Sequence, residues 1–302
     1  MVSYLEKLIL DNWEDWIGGK KPKGLDFLKT HAGSPMRNKK VGFFVFSNKK
    51  PVIFAKTVRE SKYNQIINDG FEKLKNVNKY LDDGSAPKPI HLGNYEGIIF
   101  SLETAIVGKQ FHSCKSKKDL NNFLGWFFRF QKLMAQKELM NGEQLREHVD
   151  VVVNKFFNLY PLKPELKELI EETADKVQKD IIDNLSLPLI YQHGDLTPDN
   201  VLDDNGKIRV IDWDNFAKIK LPLFDLLVFL QRWSQIRDVS FVPKYLDIID
   251  KYLMEFKVDK RVLKALIFLY YLLDFIRKKD ALTDYDKEYL EARLKEIKEL
   301  SF

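Results

Sequence analysis

Cysteine is almost missing from this chain of 302 residues. Cys114 stands alone, so no disulfide can form within the chain and no cysteine-rich metal site can be built. A reducing compartment follows as the expectation, and the protein is read as cytoplasmic. A surplus of one charge is also lacking: 49 basic against 44 acidic side chains leave a formal charge of +5, too slight a bias to point to nucleic acid. No apolar run is long enough to cross a bilayer. The longest, ALIFLYYLLDFI from Ala265 to Ile276, carries Asp274 and falls short of the roughly 20 residues a spanning helix needs. The opening stretch, MVSYLEKLILDNWEDWIGG, has neither a basic n-region nor a cleavage site, and its apolar residues recur at helical spacing, so it reads as an amphipathic helix. Repeats and low-complexity tracts are absent. GGKKPKG at Gly18 to Gly24 lacks the Gly-Lys-Ser/Thr ending and the preceding strand of a nucleotide P-loop, and reads as a flexible basic loop.

What is present is a globular composition, 45% hydrophobic and 31% charged, in a chain long enough to bury about three quarters of its unfolded surface. Its two ends differ in texture. VGFFVF (Val41 to Phe46) and PVIFAK (Pro51 to Lys56) are short apolar runs separated by Ser-Asn-Lys-Lys, which predicts a hairpin. In SKYNQIINDGFEKLKNVNKYL, Ile67, Phe71 and Leu74 share one face of an amphipathic helix. GSAPKP breaks that pattern, GIIFSL supplies another strand, and ETAIVG reads as a connector. From Lys117 onward the periodicity is mostly helical. The expected fold class is therefore α+β, with a strand-rich front and a helical back.

One stretch of the helical half departs from it. HGDLTPDNVLDDNGKIRVIDWDNF, His193 to Phe216, places acids at Asp195, Asp199, Asp203, Asp204, Asp212 and Asp214. VLDDNGKIRVID reads as a hairpin turning at Asn205-Gly206, which accounts for Asp203 and Asp204 as turn residues. Asp195 and Asp212 instead border apolar strands, where an unpaired acid is costly. With Asn200 they offer hard oxygen ligands that suit Mg²⁺ better than zinc, for which His193 would be the only nitrogen donor.

HGDLTPDN followed by VIDWDNF resembles the catalytic core of the aminoglycoside phosphotransferase and choline kinase superfamily: His-Gly-Asp, four residues, Asn, then a strand ending in Asp. The resemblance implies a two-lobed protein-kinase-like fold, with a nucleotide-binding lobe over 1–105 and a catalytic, substrate-binding lobe over 106–302. It implies Asp195 as the catalytic base and Asn200 and Asp212 as ligands of Mg²⁺ on the phosphates of ATP (or GTP). PVIFAK resembles the strand whose lysine contacts the α and β phosphates, which assigns Lys56. Relatives pair that lysine with a helix Glu; Glu72 is the candidate, but the helix phase puts Gly70 where the inward acid belongs, and Asp69 or no partner at all remain open. FSLETAIVG resembles the hinge, with the Glu103 carbonyl and Ala105 amide against the adenine edge. AGSPMRNKK stands where the phosphate-covering loop belongs, with Gly33, Ser34 and Arg37 as candidates. His193 is read as bonding backbone and Asp225 as structural, capping its helix or bonding the catalytic loop; Asp214 either supports the metal ligands or is an exposed turn acid. The implied partner is a small-molecule hydroxyl substrate, a sugar, amino alcohol or aminoglycoside, with no nucleic acid and no membrane. A nucleotide-binding regulator with little turnover is the alternative.

Overall fold

The computed structural model describes residues 1–30, 40–113, 116–234, 242–278 and 282–300. Among them the chain forms two compact units, one of Met1–Trp126 with Asp199–Phe216, the other of Phe127–Pro198 with Ala217–Phe302.

The first unit begins with two helices, α1 (Val2–Asp11) and the short α2 (Trp13–Trp16), followed by strands β1 (Asp26–Thr30), β2 (Lys40–Ser47) and β3 (Lys50–Val58). The β2–β3 turn is as short as a hairpin allows: Ser47 pairs with Lys50, and Asn48 and Lys49 both take positive φ, 50° and 66°, the twist that suits a two-residue connection. Helix α3 (Asn64–Val77) and strands β4 (Pro89–Tyr95) and β5 (Ile98–Thr104) complete an antiparallel sheet of order β1-β2-β3-β5-β4. Side chains alternate across it. Val45, Ile53, Ala55, Phe100 and Leu102 point to a core closed by Leu5, Ile9 and Trp13 of the first two helices. On the opposite face Lys56, Ser101 and Glu103 meet Ile66, Ile67, Gly70 and Phe71 of α3. Helix α3 keeps the face expected for it, with Ile67 and Leu74 buried and Phe71 half-buried. Strands β1 and β4 carry no fully buried residue, so neither has the apolar run that betrays a strand in sequence.

Strand β6 (Lys109–Gln110) is followed by α4 (Lys117–Met134), along which the chain passes into the second unit. That unit holds β7 (Ala135–Met140), α5 (Gly142–Leu159), α6 (Pro164–Lys179) and β8 (Leu187–Ile190). The chain then returns to the first unit with β9 (Val201–Asp204) and β10 (Lys207–Val210), which join β6 in a three-stranded sheet. The Asn205-Gly206 turn is the expected one: Asp204 pairs with Lys207 and both turn residues have positive φ. Helices α7 (Phe224–Ser234), α8 (Leu246–Glu255), α9 (Leu263–Lys278) and α10 (Asp284–Glu299) finish the second unit. No helix among the described residues is long and apolar enough to cross a membrane.

A buried polar network ties the second unit together. The Tyr252 hydroxyl on α8 donates to Gln131 Oε1 on α4 at 2.8 Å and accepts from the Leu223 amide at 3.0 Å. Gln192 Nε2 donates to the same Gln131 oxygen at 3.1 Å, while Gln192 Oε1 accepts from the Asp225 amide. Leu223 needs that anchor because its φ is 72°, a region that costs a branched residue energy. Tyr252→Phe strips both bonds and leaves a buried amide without its acceptor, a loss of about 2 kcal/mol. The expected outcome is a melting temperature lower by roughly 3 °C, read by thermal denaturation of the full chain.

Candidate active site

Each acid of the His193–Phe216 stretch has its own surroundings. In the sheet-bearing unit, the β9–β10 hairpin brings its two ends together: Val201 pairs with Val210, and just beyond them the Ile211 amide donates to the Asn200 carbonyl at 3.0 Å. Asp212 follows at once in the left-handed region, φ 61° and ψ 60°, with its side chain exposed. Trp213 is buried and donates from its indole nitrogen to the Val210 carbonyl at 2.9 Å, which pins this strained turn to the strand. A carboxylate and a carboxamide thus stand at the two ends of one hairpin. Among the described residues no group of three or more His, Cys, Asp or Glu is gathered to hold a metal. One acid and one amide fit Mg²⁺, which keeps most of its coordination for water and phosphate, and would be too few for an all-protein site.

Lys56, on the α3 side of β3, makes an ion pair with Glu103 of β5, Nζ to Oε2 3.0 Å. Burial opposes its charge, but Glu103 and then Asp212 outweigh that and hold its pKa above the ordinary lysine value. Burial pushes the Glu103 carboxyl upward, with Lys56 pulling the other way. Glu72 is exposed and pairs with Lys75 at 3.0 Å, and Asp69 accepts from Gln65. None of the three arrangements left open for Lys56 in the sequence occurs; its acid lies on the neighbouring strand. The connector also differs in detail, since the Ala105 amide already donates to the Val52 carbonyl at 3.1 Å as the last rung between β3 and β5. Asp214 turns toward α3, where its carboxylate pairs with Lys40 and its carbonyl accepts from Lys73 Nζ at 2.7 Å. It is half-buried, and so not an exposed turn acid. Gly33, Ser34, Arg37 and Cys114 lie outside the described residues.

Asp195 belongs to the helical unit. The loop that carries it is clamped from below: the Asp225 carboxylate, fully buried, accepts from the amides of His193 at 2.6 Å and Gly194 at 2.9 Å. Gly194, at φ 80°, lets the chain turn there. The His193 imidazole bonds backbone, as expected, accepting from the Asp195 amide at 3.2 Å through Nδ1. Asp195 itself receives a hydrogen bond from Arg277 of α9, whose other terminal nitrogen donates to Asp274 at 2.6 Å; Arg232 stands 3.5 Å from the second Asp274 oxygen. Arg277 escaped the sequence reading. Its signal was there, an acid and a base three apart at the end of an apolar helix, where neither would be buried without a partner. Tyr270, Tyr271 and Phe275 are core residues, and Trp233 stacks on Phe229.

The model of the phosphotransferase enzyme family matches residues 73–252. No curated protein matches the sequence. Among solved structures, a thermostable mutant of aminoglycoside phosphotransferase APH(4)-Ia in ternary complex with ADP and hygromycin B superposes with a TM-score of 0.63 at 13% identity, over 97% of each chain. The GDP and kanamycin complex of APH(2")-IIia gives 0.58 at 16% identity over 100% of each. Amicoumacin kinase hAmiN, in complex with AMP-PNP, Ca²⁺ and Ami, gives 0.51 at 14% identity, over 99% of this chain and 94% of that one. At these identities the likeness is one of fold, and the fold is kinase-like.

Asp225 makes a pH prediction. Burial raises its carboxyl from 3.8 to about 7, against the opposing pull of the two amides it holds. Between those values the unfolded chain has released the proton while the folded chain keeps it, so stability is greatest below the lower value and falls as pH rises to the upper one. Asp225→Asn cannot titrate. The wild-type melting temperature is expected to fall relative to that of the variant from about pH 4 to about pH 7; parallel curves would remove the buried carboxyl from this role.

Proposed function

The chain belongs to the phosphotransferase enzyme family, and from that premise we propose that it transfers the γ-phosphate of Mg-ATP to a hydroxyl of a small molecule. The observation that carries this reading is the closed base of the β9–β10 hairpin, where the Ile211 amide bonds the Asn200 carbonyl and leaves the Asp212 carboxylate exposed. ADP, GDP and AMP-PNP in the structural neighbours support a nucleoside triphosphate as donor.

In this reading Asn200 and Asp212 hold Mg²⁺, which neutralises charge on the phosphates when bound. Lys56 reaches the α and β phosphates as a fixed cation. Glu103 and Ala105 border the adenine; with the Ala105 amide committed to Val52, the contact to the base edge falls to neighbouring hinge backbone. Ser34, in the sequence before β2, is assigned to the phosphates as well. Asp195 accepts the proton of the acceptor hydroxyl while that oxygen bonds the γ phosphorus and the bond to the β–γ bridging oxygen breaks, releasing ADP. Arg277 fixes the orientation of the Asp195 carboxylate.

The acceptor class is a sugar, an amino alcohol or an aminoglycoside. Hygromycin B and kanamycin in the neighbours support the last. The nearly balanced charge of this chain, 49 basic to 44 acidic residues, supports a less cationic acceptor equally well. The alternative of a regulator with little turnover was motivated by the doubtful helix Glu partner of Lys56; the ion pair with Glu103 supports the enzyme reading.

Two measurements test the reading. Mg-ATP at 100 times its dissociation constant is expected to stabilise the wild type by about 2.7 kcal/mol, seen as a rise in melting temperature, and Asp212→Ala to abolish the rise. In a phosphate-transfer screen over sugars, amino alcohols and aminoglycosides, Asp195→Ala is expected to lower turnover on the accepted compound about 10²- to 10⁴-fold while leaving nucleotide binding in place. Wild-type turnover in that variant would sink the role of Asp195.

A further inference from the structure

Three observations converge on one small space in the sheet-bearing unit. The Lys56 ammonium sits 3.0 Å from a Glu103 oxygen, with both side chains largely withdrawn from solvent. The helix that faces them offers no acid. Gly70 lines the same space, and a Cβ built on it would lie 2.7 Å from Asp214 Oδ1, so the place a helix side chain would use is already filled by a carboxylate committed to Lys40. The two acids that α3 does carry nearby are engaged elsewhere, Glu72 with Lys75 and Asp69 with Gln65. The gap among Lys40, Lys56, Glu103 and Asp214 is about 10 Å³, room for a single water at most.

We propose that Glu103 is the positioning residue for Lys56: a strand carboxylate that holds the lysine extended toward the nucleotide phosphates, in place of an acid on helix α3. The inference rests on the reading of Lys56 as a phosphate-binding residue. The register of the sheet makes it possible. Lys56 is paired with Ser101, and Glu103 lies two residues further on, on the same face, so the two side chains reach each other diagonally across adjacent strands. A pair held by two backbone strands does not depend on how the helix is set, so Lys56 stays in place whatever α3 does. Because both side chains are largely withdrawn from solvent, removing one leaves the other's charge costly and free to turn away.

The test is nucleotide binding by calorimetry on the full chain, with Mg-ATP and with adenosine, which has no phosphates. Glu103→Gln, which keeps the backbone carbonyl assigned to the adenine edge, is expected to weaken Mg-ATP about tenfold and adenosine far less. Lys56→Met should weaken Mg-ATP as well, and adding Glu103→Gln to Lys56→Met should cost nothing further, because Glu103 acts only through the lysine. Glu103→Asp, which keeps the charge on a shorter arm, should show a smaller loss with the same selectivity, and it carries the test if Glu103→Gln does not fold. Unchanged Mg-ATP affinity in the Glu103 variants would overturn the proposal. So would an equal loss of adenosine and Mg-ATP, an undiminished effect in the Lys56→Met background, or a loss on Glu72→Gln with none on Glu103→Gln. A wild-type chain that does not bind Mg-ATP would instead refute the function on which the proposal stands.

Discussion

The Asp225 carboxyl, buried beneath the amides of His193 and Gly194, is the contact on which the loop carrying Asp195 depends. A loop that presents a polar residue has few contacts of its own, and its backbone groups must find partners or lose stability. Here one side chain satisfies two of them. Gln192 closes the circle by accepting from the Asp225 amide, and Gln131 and Tyr252 carry the network on to α4 and α8. Asp195 therefore projects from a fixed base, and Arg277, itself shared with Asp274, meets its carboxylate from the side. Buried polar groups gather around this loop, and the Asp225 carboxyl and the side-chain oxygens of Gln131 and Gln192 each meet a donor.

The sheet-bearing unit solves a different problem, that of keeping cations and acids apart from water without neutralising the wrong pairs. Lys56 and Glu103 form one pair across adjacent strands, and Lys40 and Asp214 another; Gly70 is what allows the second to come so near α3. In surroundings of low polarity a shared carboxylate is worth more than at the surface, where Lys75 and Glu72 contribute little to stability. The Trp213 side chain, buried beside the Asp212 turn, holds a strained backbone in place so that the Asp212 carboxylate stays exposed. Strain and burial are set against each other within a few residues.

Much of this was legible in the chain itself. Asn205-Gly206 and Ser-Asn-Lys-Lys announced their hairpins because a two-residue turn needs positive φ at both positions. Ile67 and Leu74 announced their helix because burial on one face imposes a period near 3.6. Strands β1, β4 and β7 were not legible, as they carry half-buried or exposed residues and draw their order from hydrogen bonds to partners far along the chain. The Ala105 amide was assigned to the adenine edge, yet register gives it to Val52. Glu72, Asp69 or no partner were left open for Lys56, and helix phase turns Glu72 to solvent beside Lys75.

Sequence alone determined the two tight hairpins, the amphipathic helix and the order of the candidate site residues, His-Gly-Asp through Asn200 to Asp212, because turn preferences and side-chain periodicity act over a few residues. Tertiary structure decided which charge meets which: Glu103 for Lys56, Lys40 for Asp214, Arg277 for Asp195. Those choices depend on strand register and helix phase, which bring distant residues within a few ångströms and which a pattern of neighbours in the chain does not record.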